Sequence, residues 1–511
     1  MEQFKMTLQS DTIAAISTPS GMGGIAVIRI SGPEAINLIA QAWKGKDLLS
    51  VPSHSLHLGQ YKATDGSILD ECVVAVYRAP ASFTGENVVE ISTHGSRWIQ
   101  REMMADLIRR GARTAMPGEF TQRAFLNGKI DLARAEGVAD LIASSSRASH
   151  AMALSQTRGG FSKELERLRE QLIEFASLLE LELDFSEEDV EFADRLKLKN
   201  LAEQILGKIK KLSSSYSTGS VLKSGVPVVI AGAPNAGKSS LLNLILNDDK
   251  AIVSEIPGTT RDIVEDTVEI EGILYRFIDT AGLRSTDDTI ETLGIQRTRD
   301  ALEKAYIVIW IIDSSNNSSQ SDEELNTFLN DHPEARLIIL HNKSDLKQSS
   351  CPQSDSNNPT LSLSTAANPA VNPSGLISDS TVSVLPQYPT ENSSETGASL
   401  NSDISADLGI IRFSTKTLEG YEELLSRLKE LASDDMNPET DLIITNARHY
   451  EALIRAEESL TRAIEAIETN ISGDFIAQDI RETLHHLGTI TGAITTDNLL
   501  HSIFSRFCIG K

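Results

Sequence analysis

Apolar residues are spaced differently in successive parts of the 511-residue chain. Up to about residue 124 they form short runs such as IAVIRI and CVVAVY, which are separated by Gly, Pro and Asn as strands are by turns. From about residue 125 they recur at helical spacing, most clearly in FSKELERLREQLIEFASLLELELDF. The pattern predicts an α+β domain over residues 1–124 and helices over residues 125–222.

A strand-like run, VPVVIAG, opens an α/β region that extends to about residue 437. Helical spacing returns in HYEALIRAEESLTRAIEAIE and continues towards residue 511. Because the ends of a compact domain usually lie close together, such a domain can be inserted into a loop of another domain. We therefore predict a multidomain α/β protein in which a helical domain, split between residues 125–222 and 438–511, carries an inserted α/β domain at residues 223–437.

Residues 348–411 differ from the rest of the inserted domain. They contain no Lys or Arg and are rich in Ser, Asn, Thr and Pro. Such a composition cannot bury enough apolar surface to offset the entropy lost on folding. We predict a disordered loop here, and its role stays open.

Composition restricts the location and the partners of the protein. Its three cysteines, Cys72, Cys351 and Cys508, are too few for a disulfide framework and fit no zinc-site spacing, so a reducing cytoplasm is expected. The longest apolar run, residues 306–312, is too short to cross a bilayer, so we expect no membrane association.

The net charge of −25 disfavours indiscriminate binding to nucleic acid, because phosphate binding requires clustered Lys and Arg. The most basic stretch, from Arg97 to Arg134, holds eight Lys and Arg against four Asp and Glu. It is a candidate nucleic-acid surface, although a solvated helix with ordinary charge scatter is the simpler interpretation.

The stretch VVIAGAPNAGKSSLLN contains the phosphate-binding pattern G-x-x-x-x-G-K-S from Gly232 to Ser239. It follows an apolar run and precedes a helical one, which is the context that the pattern requires. Backbone N–H groups of such a loop surround phosphates, while Lys238 reaches the terminal phosphates and Ser239 binds Mg²⁺. The residues predicted to bind the phosphate groups are Asn235, Ala236, Gly237, Lys238, Ser239 and Ser240.

Two further motifs indicate which base is bound. The carboxylate of Asp345 can accept hydrogen bonds from the ring N–H and the exocyclic amine of guanine, a donor pair that adenine lacks. The stretch Ser-Thr-Lys at residues 414–416 resembles the last base-contacting loop of G proteins, with Thr415 where Ala is usual. The order of the motifs, each after a strand-like run, predicts a GTPase. The residues predicted to bind the base are Asn342, Lys343, Asp345, Ser414, Thr415 and Lys416.

Two segments are predicted to sense the terminal phosphate. In the motif DTAG, Asp279 can hold Mg²⁺ and Gly282 can approach the γ-phosphate. In IPGTTRD, Thr259 or Thr260 can supply a hydroxyl to Mg²⁺, and Thr260 is preferred. Ras-type enzymes orient water with a Gln after DTAG, where this chain has Leu283. The predicted contacts are Ser254, Glu255, Ile256, Pro257, Gly258, Thr259, Thr260, Asp279, Thr280, Ala281 and Gly282.

Several long motifs together closely resemble the MnmE (TrmE) family of tRNA-modification GTPases. They are PGEFTQRAFLNGKIDLARAEGVADLI, APNAGKSSLLN, IPGTTRDIVED, DTAGLR and the terminal FCIGK, and the resemblance covers nearly the whole chain. It implies an N-terminal tetrahydrofolate-binding domain that dimerises, a helical domain, and a Ras-like P-loop GTPase domain inserted in the helical domain.

The resemblance also implies an activity shared with the partner MnmG. The two proteins add an aminomethyl or carboxymethylaminomethyl group to C5 of the wobble uridine (U34) of certain tRNAs, with a one-carbon unit from 5,10-methylene-tetrahydrofolate or a related folate. The implied partners are a second copy of the chain, MnmG in a heterotetramer, and tRNA. The resemblance also implies that FAD is carried by MnmG. The G-x-G-x-x-A stretch from Gly21 to Ala26 is rejected as a dinucleotide-binding motif of this chain, because it is followed by a strand pattern instead of a helix.

The family's folate site maps onto this chain as well. A carboxylate at Glu90 suits the amidine-like edge of a pterin. A structural salt bridge is the alternative for Arg29 with Glu90. Family members end in Cys-Ile-Gly-Lys, and this tail is expected to reach the folate and tRNA site. Cys508 is assigned either a chemical role or that of a buried small residue, and prenylation is rejected because Gly510 and Lys511 do not fit its pattern. The implied folate-binding residues are Arg29, Glu90, Lys129 and Lys511.

The resemblance implies how hydrolysis proceeds without the usual Gln. Glu291 is the family's matching residue for ordering water, with Asp287 and Asp288 as alternatives. No arginine finger is evident, although Arg261 and Arg284 are considered. In the family K⁺ takes the place of the finger, and Ser239 and Thr260 hold Mg²⁺. The implied K⁺ ligands are Asn235, Ser254, Ile256 and Thr259.

Two other classes of function stay open at this stage. A ribosome-assembly GTPase can share APNAGKSSLLN and Leu after DTAG, but it needs neither the N-terminal motifs nor FCIGK. A signalling switch should hold GTP long enough to need an activating partner. The sequence leaves open which tRNAs are modified and whether ammonium or glycine is the amine donor.

Overall fold

A computed structural model describes most of the chain. The described residues are 11–184, 195–247, 252–253, 265–278, 302–303, 305–315, 319–332, 335–349, 410–433, 441–469 and 471–510.

The N-terminal domain is a sheet with helices packed against both faces. Its elements are β1 (Ile13–Ile16), β2 (Gly23–Ser31), α1 (Ala35–Ala42), β3 (Trp43–Lys44), β4 (Ser55–Lys62), β5 (Ile68–Tyr77), β6 (Val88–Gly95), α2 (Arg97–Arg109), β7 (Arg113–Thr114) and α3 (Glu119–Leu126). Among the described residues the strand order is β3-β4-β5-β6-β2-β1-β7, and only β1 and β7 run parallel. Alternate residues of β2, Ile28 and Ile30, pack in a core with Met103 and Leu107 of α2.

The opposite face of this sheet carries apolar side chains that are not covered by a helix of the domain. Leu56 and Leu58 of β4 are 71% and 66% exposed. Leu58 is opposite Val73 of β5, and Val73 is opposite Ser92 of β6, which in turn is opposite Val27 of β2. We call Val27, Leu56, Leu58 and Val73 the open face.

In the described ranges, five helices lie between the N-terminal domain and the inserted domain. They are α4 (Leu132–Ala143), α5 (Arg147–Thr157), α6 (Gly160–Asp184), α7 (Arg195–Ser214) and α8 (Tyr216–Ser224). The last of them leads into the inserted domain through Gly225, whose φ of 89° favours glycine.

The inserted domain contains a second sheet. Its elements are β8 (Val226–Gly232), α9 (Lys238–Leu246), β9 (Ile252–Val253), β10 (Glu265–Ile270), β11 (Ile273–Ile278), β12 (Ile307–Asp313), α10 (Ser319–Asp331), β13 (Arg336–Asn342), a 3₁₀ helix (Ser344–Ser349), β14 (Ile410–Arg412) and α11 (Tyr421–Ser433). In the described part of the chain the order is β14-β13-β12-β8-β11-β10-β9, and the five strands from β14 to β11 are parallel. This is a Ras-like P-loop arrangement with its loops at the carboxyl ends of the parallel strands.

The predicted disordered loop at residues 348–411 overlaps the fold at both ends. Residues 348–349 belong to the 3₁₀ helix, and Ile410 and Ile411 belong to β14. Ile411 is opposite Leu340 of β13 and is buried in the core, so the loop boundary at residue 411 is corrected to residue 409. The rest of the predicted loop, residues 350–409, lies outside the described ranges.

The chain then returns to the helical domain in α12 (Ala447–Glu468), α13 (Gly473–Thr491) and α14 (Asp497–Phe504). Leu172 of α6 and Ile205 of α7 share one hydrophobic core with Leu460 of α12 and Ile480 of α13. Helices on the two sides of the inserted domain therefore form a single unit, which confirms the predicted fold class. No helix within the described ranges is long and apolar enough to cross a lipid bilayer.

A buried ion cluster joins the two halves of the helical domain. The Arg448 guanidinium donates to both carboxylate oxygens of Glu136, at 2.9 and 2.7 Å, and His449 Nε2 lies 2.6 Å from Glu136 Oε2. Burial raises the pKa of Glu136, but its contacts with His449 and Arg448 outweigh this and bring the pKa to about 2. Glu136 therefore stays ionised in the folded protein.

The helical domain also contacts the inserted domain directly. The backbone N–H of Ala148, in α5, donates to the carbonyl of Gly272 at 2.9 Å, and that of Arg147 donates to Glu269 Oε1 at 3.1 Å. Both acceptors belong to the β10–β11 hairpin. The hairpin follows residues 254–264 and precedes residue 279, so this contact lies between the two predicted phosphate-sensing segments in the chain.

Candidate functional site

The phosphate-binding loop connects β8 to α9, and its glycines are required by its geometry. Gly232 and Gly237 have φ values of 133° and 111°. A Cβ on Gly232 would lie 2.2 Å from the Ile311 carbonyl oxygen, and one on Gly237 would lie 2.2 Å from Asn342 Nδ2. Only glycine fits both positions. The left-handed φ of 64° at Asn235 adds a further reversal of the loop. Such successive reversals form concave, anion-binding backbone turns.

Lys238 and Ser239 begin α9 directly after this loop. The Lys238 ammonium donates to the carbonyls of Gly232 and Ala233, at 2.7 and 3.0 Å, so its charge lies over the loop. Ser239 and Ser240 occupy the first turn of α9, where the positive end of the helix dipole favours anions. The geometry therefore suits phosphate groups and a hydroxyl ligand for Mg²⁺ at Ser239.

Asn342 links the end of β13 to the phosphate-binding loop. Its side chain is buried, and Nδ2 donates to the Ala236 carbonyl at 2.7 Å. Its Oδ1 is buried and has no hydrogen-bond partner among the described residues. The first predicted base-binding residue is thus attached to the loop that is predicted to hold the phosphates.

Asp345 and Ser414 meet although 69 residues separate them. The Ser414 hydroxyl donates to Asp345 Oδ1 at 2.9 Å, and the backbone N–H groups of Lys416 and Thr417 donate to Ser414 Oγ at 3.2 and 3.3 Å. Ser414 is fully buried, so it fixes both the Asp345 carboxylate and the turn that contains Thr415. The two predicted base-binding loops therefore form one structure.

Lys343 is held between these loops by Asp313 at the end of β12. Lys343 has φ 64°, and its ammonium lies 2.5 Å from Asp313 Oδ2. Burial raises the pKa of Asp313, but hydrogen bonds from Lys343 and Ser315 outweigh it and hold this pKa below its usual value. The ion pair orients the Lys343 side chain at the carboxyl edge of the sheet, next to the loops that follow β13 and β14.

A second cluster of predicted site residues lies in the N-terminal domain. Arg29 of β2 is directly opposite Glu90 of β6, and its Nε and Nη2 lie 2.8 and 2.7 Å from Glu90 Oε1. The Arg29 guanidinium also lies 5.9 and 5.7 Å from the ring centres of Phe83 and Phe120. The salt bridge expected as the structural alternative is therefore present, and two aromatic rings lie beside it.

The tail of the chain contacts this cluster. The Gly510 carbonyl accepts from Arg29 Nη1 at 3.4 Å and from the Ser17 hydroxyl at 3.2 Å. Gly510 has φ 94°, and a Cβ there would lie 2.6 Å from the Ile16 carbonyl oxygen. The neighbouring Cys508 carbonyl accepts from the Gly118 N–H at 3.3 Å. The tail thus lies against the predicted folate site, as the resemblance implies.

Lys129 approaches the same region through the loop that connects β5 to β6. Its ammonium donates to the Pro80 carbonyl at 3.0 Å, and a Cβ on Gly85 would lie 3.3 Å from Lys129 Cγ. This loop also carries Phe83, which lies beside Arg29. Arg29 and Lys129 therefore both lie against this loop, and Glu90 is joined to them through its ion pair with Arg29.

Comparison with protein families matches both regions. The model of the MnmE helical domain matches residues 132–508, and that of the "GTP-binding protein TrmE N-terminus" matches residues 12–129.

The chain belongs to the MnmE family.

Among its relatives, a protein of Cytophaga hutchinsonii is 46% identical over 513 residues, which cover 100% of both chains. One of Bacteroides fragilis is 47% identical over 509 residues, which cover 99% of this chain and 100% of the relative. One of Christiangramia forsetii is 44% identical over 511 residues, which cover 98% of this chain and 99% of the relative. All three bear the name tRNA modification GTPase MnmE.

Several residues singled out in the sequence analysis lie outside the described ranges. They include the catalytic candidate Glu291 and the tail residue Lys511, together with Leu283. Their assignments stay predictions. The others are Ser254, Glu255, Ile256, Pro257, Gly258, Thr259, Thr260, Arg261, Asp279, Thr280, Ala281, Gly282, Arg284, Asp287 and Asp288.

The sequence did not indicate one structural feature of the folate region, the buried Arg123. Its guanidinium pairs with Asp11 at 2.6 Å, with Glu119 at 3.0 Å and with Glu86 at 3.2 Å. Glu86 belongs to the loop that carries Phe83, so Arg123 fixes that loop against α3. Basic and acidic residues are common in the stretch, and residue types alone do not show which of them pair.

The exposure of Cys508 rules out one of the two interpretations left open for this residue. Its side chain is exposed, so it is not a buried small residue that fills the core. The chemical role therefore stays as a prediction for an accessible thiol close to the tail contact with Arg29.

Proposed function

We propose that this member of the MnmE family hydrolyses GTP and takes part in tRNA modification. One observation carries the proposal. The phosphate-binding loop at Gly237 and Lys238 is attached to Asn342, and the Asp345–Ser414 pair follows Asn342 at the same edge of the sheet. A phosphate-binding loop alone accepts any nucleotide. A carboxylate held in a fixed orientation beside it selects guanine, because guanine offers two donors to it and adenine does not.

We further propose that the activity requires a folate and the partner MnmG. In this proposal Glu90 recognises the amidine-like edge of a pterin, and the cations Arg29 and Lys129 favour the anionic part of a folate. The aromatic ring of Phe83 offers a surface for a planar ligand. With MnmG, which would carry FAD, the protein would add an aminomethyl or carboxymethylaminomethyl group to C5 of the wobble uridine.

Hydrolysis is proposed to depend on Mg²⁺, K⁺ and Glu291. Ser239 fits the Mg²⁺ assignment because its hydroxyl belongs to the first turn of α9 beside the phosphate-binding loop. Asn235 fits the K⁺ assignment because it belongs to that loop and offers a neutral amide oxygen, the kind of ligand that large alkali ions accept. A cation at this point supplies the charge that an arginine finger supplies in other GTPases. Glu291 would order the attacking water.

A homodimer is proposed to form through the open face of the N-terminal domain. Exposed apolar residues that are contiguous across a sheet mark interaction surfaces. Leu56 and Leu58 would meet the same residues of a second copy in a two-fold arrangement. MnmG would bind to this dimer, and the complex would work in the cytoplasm on tRNA.

The decisive test is nucleoside analysis of tRNA from a strain that lacks the gene. We expect the modified wobble uridine to disappear, to return with the wild-type gene, and not to return with Lys238→Ala, which removes the phosphate-binding charge. Unchanged uridine modification in the deletion strain would contradict the proposal. Altered ribosomal subunit profiles with normal tRNA would instead favour the ribosome-assembly GTPase.

A further inference from the structure

The outer face of α2 presents three guanidinium groups and an indole ring to solvent. Arg97, Trp98, Arg101 and Arg109 are all exposed, with 71% of the Arg101 side chain, 56% of the Arg109 side chain and 54% of Trp98 accessible. With 100° per residue these four positions fall within roughly one third of the helix circumference. We call them the α2 basic face.

The structure separates this face from the other cations of the basic stretch. Arg113 and Arg123 are engaged in ion pairs with Asp11 and Glu119, and Arg134 donates to the Thr157 carbonyl. These three cations have structural roles. The basic residues of this stretch therefore include some that make ion pairs or hydrogen bonds within the protein and others that are exposed to solvent. The exposed arginines of the face described above lie on α2.

The acidic residues of α2 do not cancel this positive charge. Asp106 is fully buried and accepts hydrogen bonds from Arg110, Tyr61 and Thr64 inside the domain. Arg109 Nη2 lies 3.7 Å from Asp106 Oδ1, but 56% of the Arg109 side chain stays exposed. Glu102 is one-third exposed and lies 3.2 Å from Arg101. The face thus keeps an excess of positive charge in a chain whose net charge is −25.

The spacing of the arginines suits a phosphate backbone. Arg97, Arg101 and Arg109 are four and eight residues apart, which places them along about 18 Å of the helix axis at 1.5 Å per residue. Guanidinium groups bind phosphate through two parallel hydrogen bonds. An exposed indole between them offers a stacking surface for a base that is not paired, which is how proteins commonly recognise RNA loops and ends.

We propose that the α2 basic face binds tRNA, with the three arginines on phosphates and Trp98 stacked on an unpaired base. The inference rests on the proposed function in tRNA modification and adds the surface that holds the substrate. Helix α2 packs on the face of the sheet opposite Arg29 and Glu90. The contact therefore anchors the tRNA at a distance from the folate site, and it affects binding more than chemistry.

The test is tRNA binding by the full chain, measured by fluorescence anisotropy over a series of KCl concentrations. The triple variant Arg97→Gln/Arg101→Gln/Arg109→Gln should bind roughly 10- to 100-fold more weakly. Its salt dependence should fall by about 2–3 units on a log–log plot, because each lost phosphate contact accounts for about 0.7–0.9. Basal GTP turnover and the melting temperature should stay unchanged, since these side chains are exposed.

The matched control is Lys208→Gln/Lys210→Gln/Lys211→Gln on α7, which removes the same charge from another exposed helix surface. This variant should keep the tRNA affinity of the wild type. Trp98→Ala should also weaken binding, and Trp98→Phe should restore part of it because the ring still stacks. In a tRNA-modification assay with purified components, the triple variant should raise the KM for tRNA and leave kcat almost unchanged.

The outcomes separate this inference from the function on which it rests. A wild-type protein that binds no tRNA would contradict the proposed function and this inference together. A wild type that binds tRNA and a triple variant that binds it equally well would overturn the α2 assignment alone. Equal losses in the α2 and α7 variants would also overturn it, because the effect would then be one of total charge.

Discussion

The Ser414 hydroxyl donates a 2.9 Å hydrogen bond to Asp345 Oδ1, across 69 residues of chain. Ser414 is fully buried, and it receives the N–H groups of Lys416 and Thr417 on the same oxygen. The carboxylate therefore has one oxygen fixed by the protein, and its orientation is set before a base arrives. Such preorganisation makes the selection of the base strict, because the carboxylate cannot rotate to accommodate a base that lacks the two donors.

Asp345→Asn should change the base that is bound. The amide can still accept from the ring N–H, but its NH₂ group opposes the exocyclic amine of guanine and matches the carbonyl of xanthine. GTP affinity should fall roughly 10²- to 10⁴-fold while XTP affinity rises. Competition binding with GTP and XTP measures this change. A variant that keeps the wild-type preference for GTP would show that Asp345 does not contact the base.

Gly237→Ala should abolish nucleotide binding without unfolding the protein. The new Cβ would lie 2.2 Å from Asn342 Nδ2, and φ at this position is 111°. The loop must therefore shift and release the Asn342–Ala236 hydrogen bond. Isothermal titration with GDP measures the loss. The control is Gly207→Ala in α7, where the added Cβ would meet no atom within 4 Å; equal binding by both variants would contradict the loop geometry.

Glu90→Ala should weaken the binding of 5-formyl-tetrahydrofolate at least roughly tenfold, because it removes the proposed pterin acceptor and leaves the Arg29 charge without its closest partner. Calorimetry on the full chain measures the affinity. Glu71→Ala, on β5 of the same sheet, is the control and should bind as the wild type does. Equal affinity in the wild type and Glu90→Ala would refute the folate assignment.

Potassium should accelerate GTP turnover at least roughly tenfold over sodium at matched ionic strength, because a cation in place of an arginine finger stabilises the transition-state charge and the smaller ion fits poorly. Equal single-turnover rates in the two salts would overturn the potassium mechanism.

Glu291→Ala should abolish turnover and spare GTP binding. Single-turnover rates and nucleotide titrations distinguish the two steps. A fully active Glu291→Ala would overturn the assignment of Glu291 as the residue that orders the attacking water.

Glu136→Gln should destabilise the helical domain by roughly 3–5 kcal/mol, since it leaves the Arg448 guanidinium partly unpaired in the interior. Melting followed by circular dichroism measures the effect. Glu180→Gln is the control, because Glu180 pairs with Arg481 at the surface, where both side chains are about half exposed. A variant as stable as this control would show that the buried cluster contributes no stability.

The same cluster predicts a pH dependence. The pKa of Glu136 is about 2 in the folded protein, against 4.5 as its ordinary value. A lowered folded pKa contributes stability above the unfolded value, and that stability is lost as the pH falls from about 4.5 to about 2. The difference in melting temperature between wild type and Glu136→Gln should therefore be largest above pH 5 and shrink towards pH 2. A constant difference would contradict the assignment of this titration to Glu136.

The nucleotide site was predictable because short motifs encode backbone geometry. Gly232 and Gly237 are required wherever such a loop turns, so their positions could be assigned before any contact was known. Ser414 and Asp345 could be assigned to loops after strands, but their mutual hydrogen bond could not, since it depends on how β13 and β14 pair. The folate residues followed from family resemblance, because one Arg and one Glu are too common to be informative.

The residue pattern did not show which charged residues far apart in the chain form ion pairs. Arg123 has several acidic residues near it in sequence, yet its partners include Asp11, 112 residues away. Glu136 similarly pairs with Arg448 across 312 residues. Helical spacing predicted that the two halves of the helical domain exist, and it could not show which charged residues join them. The exposure of Cys508 likewise follows from tail packing, which no local pattern encodes.

The tail contact at Gly510 also fixes an order of events during synthesis. Arg29 and Gly510 are 481 residues apart, so at roughly 5–20 residues per second the ribosome adds Gly510 about 25–100 s after Arg29. Through that interval Arg29 can pair with Glu90 but not with the Gly510 carbonyl. The proposed folate site is therefore completed by a residue translated long after Arg29 and Glu90, and a nascent chain whose N-terminal sheet has already formed still lacks it.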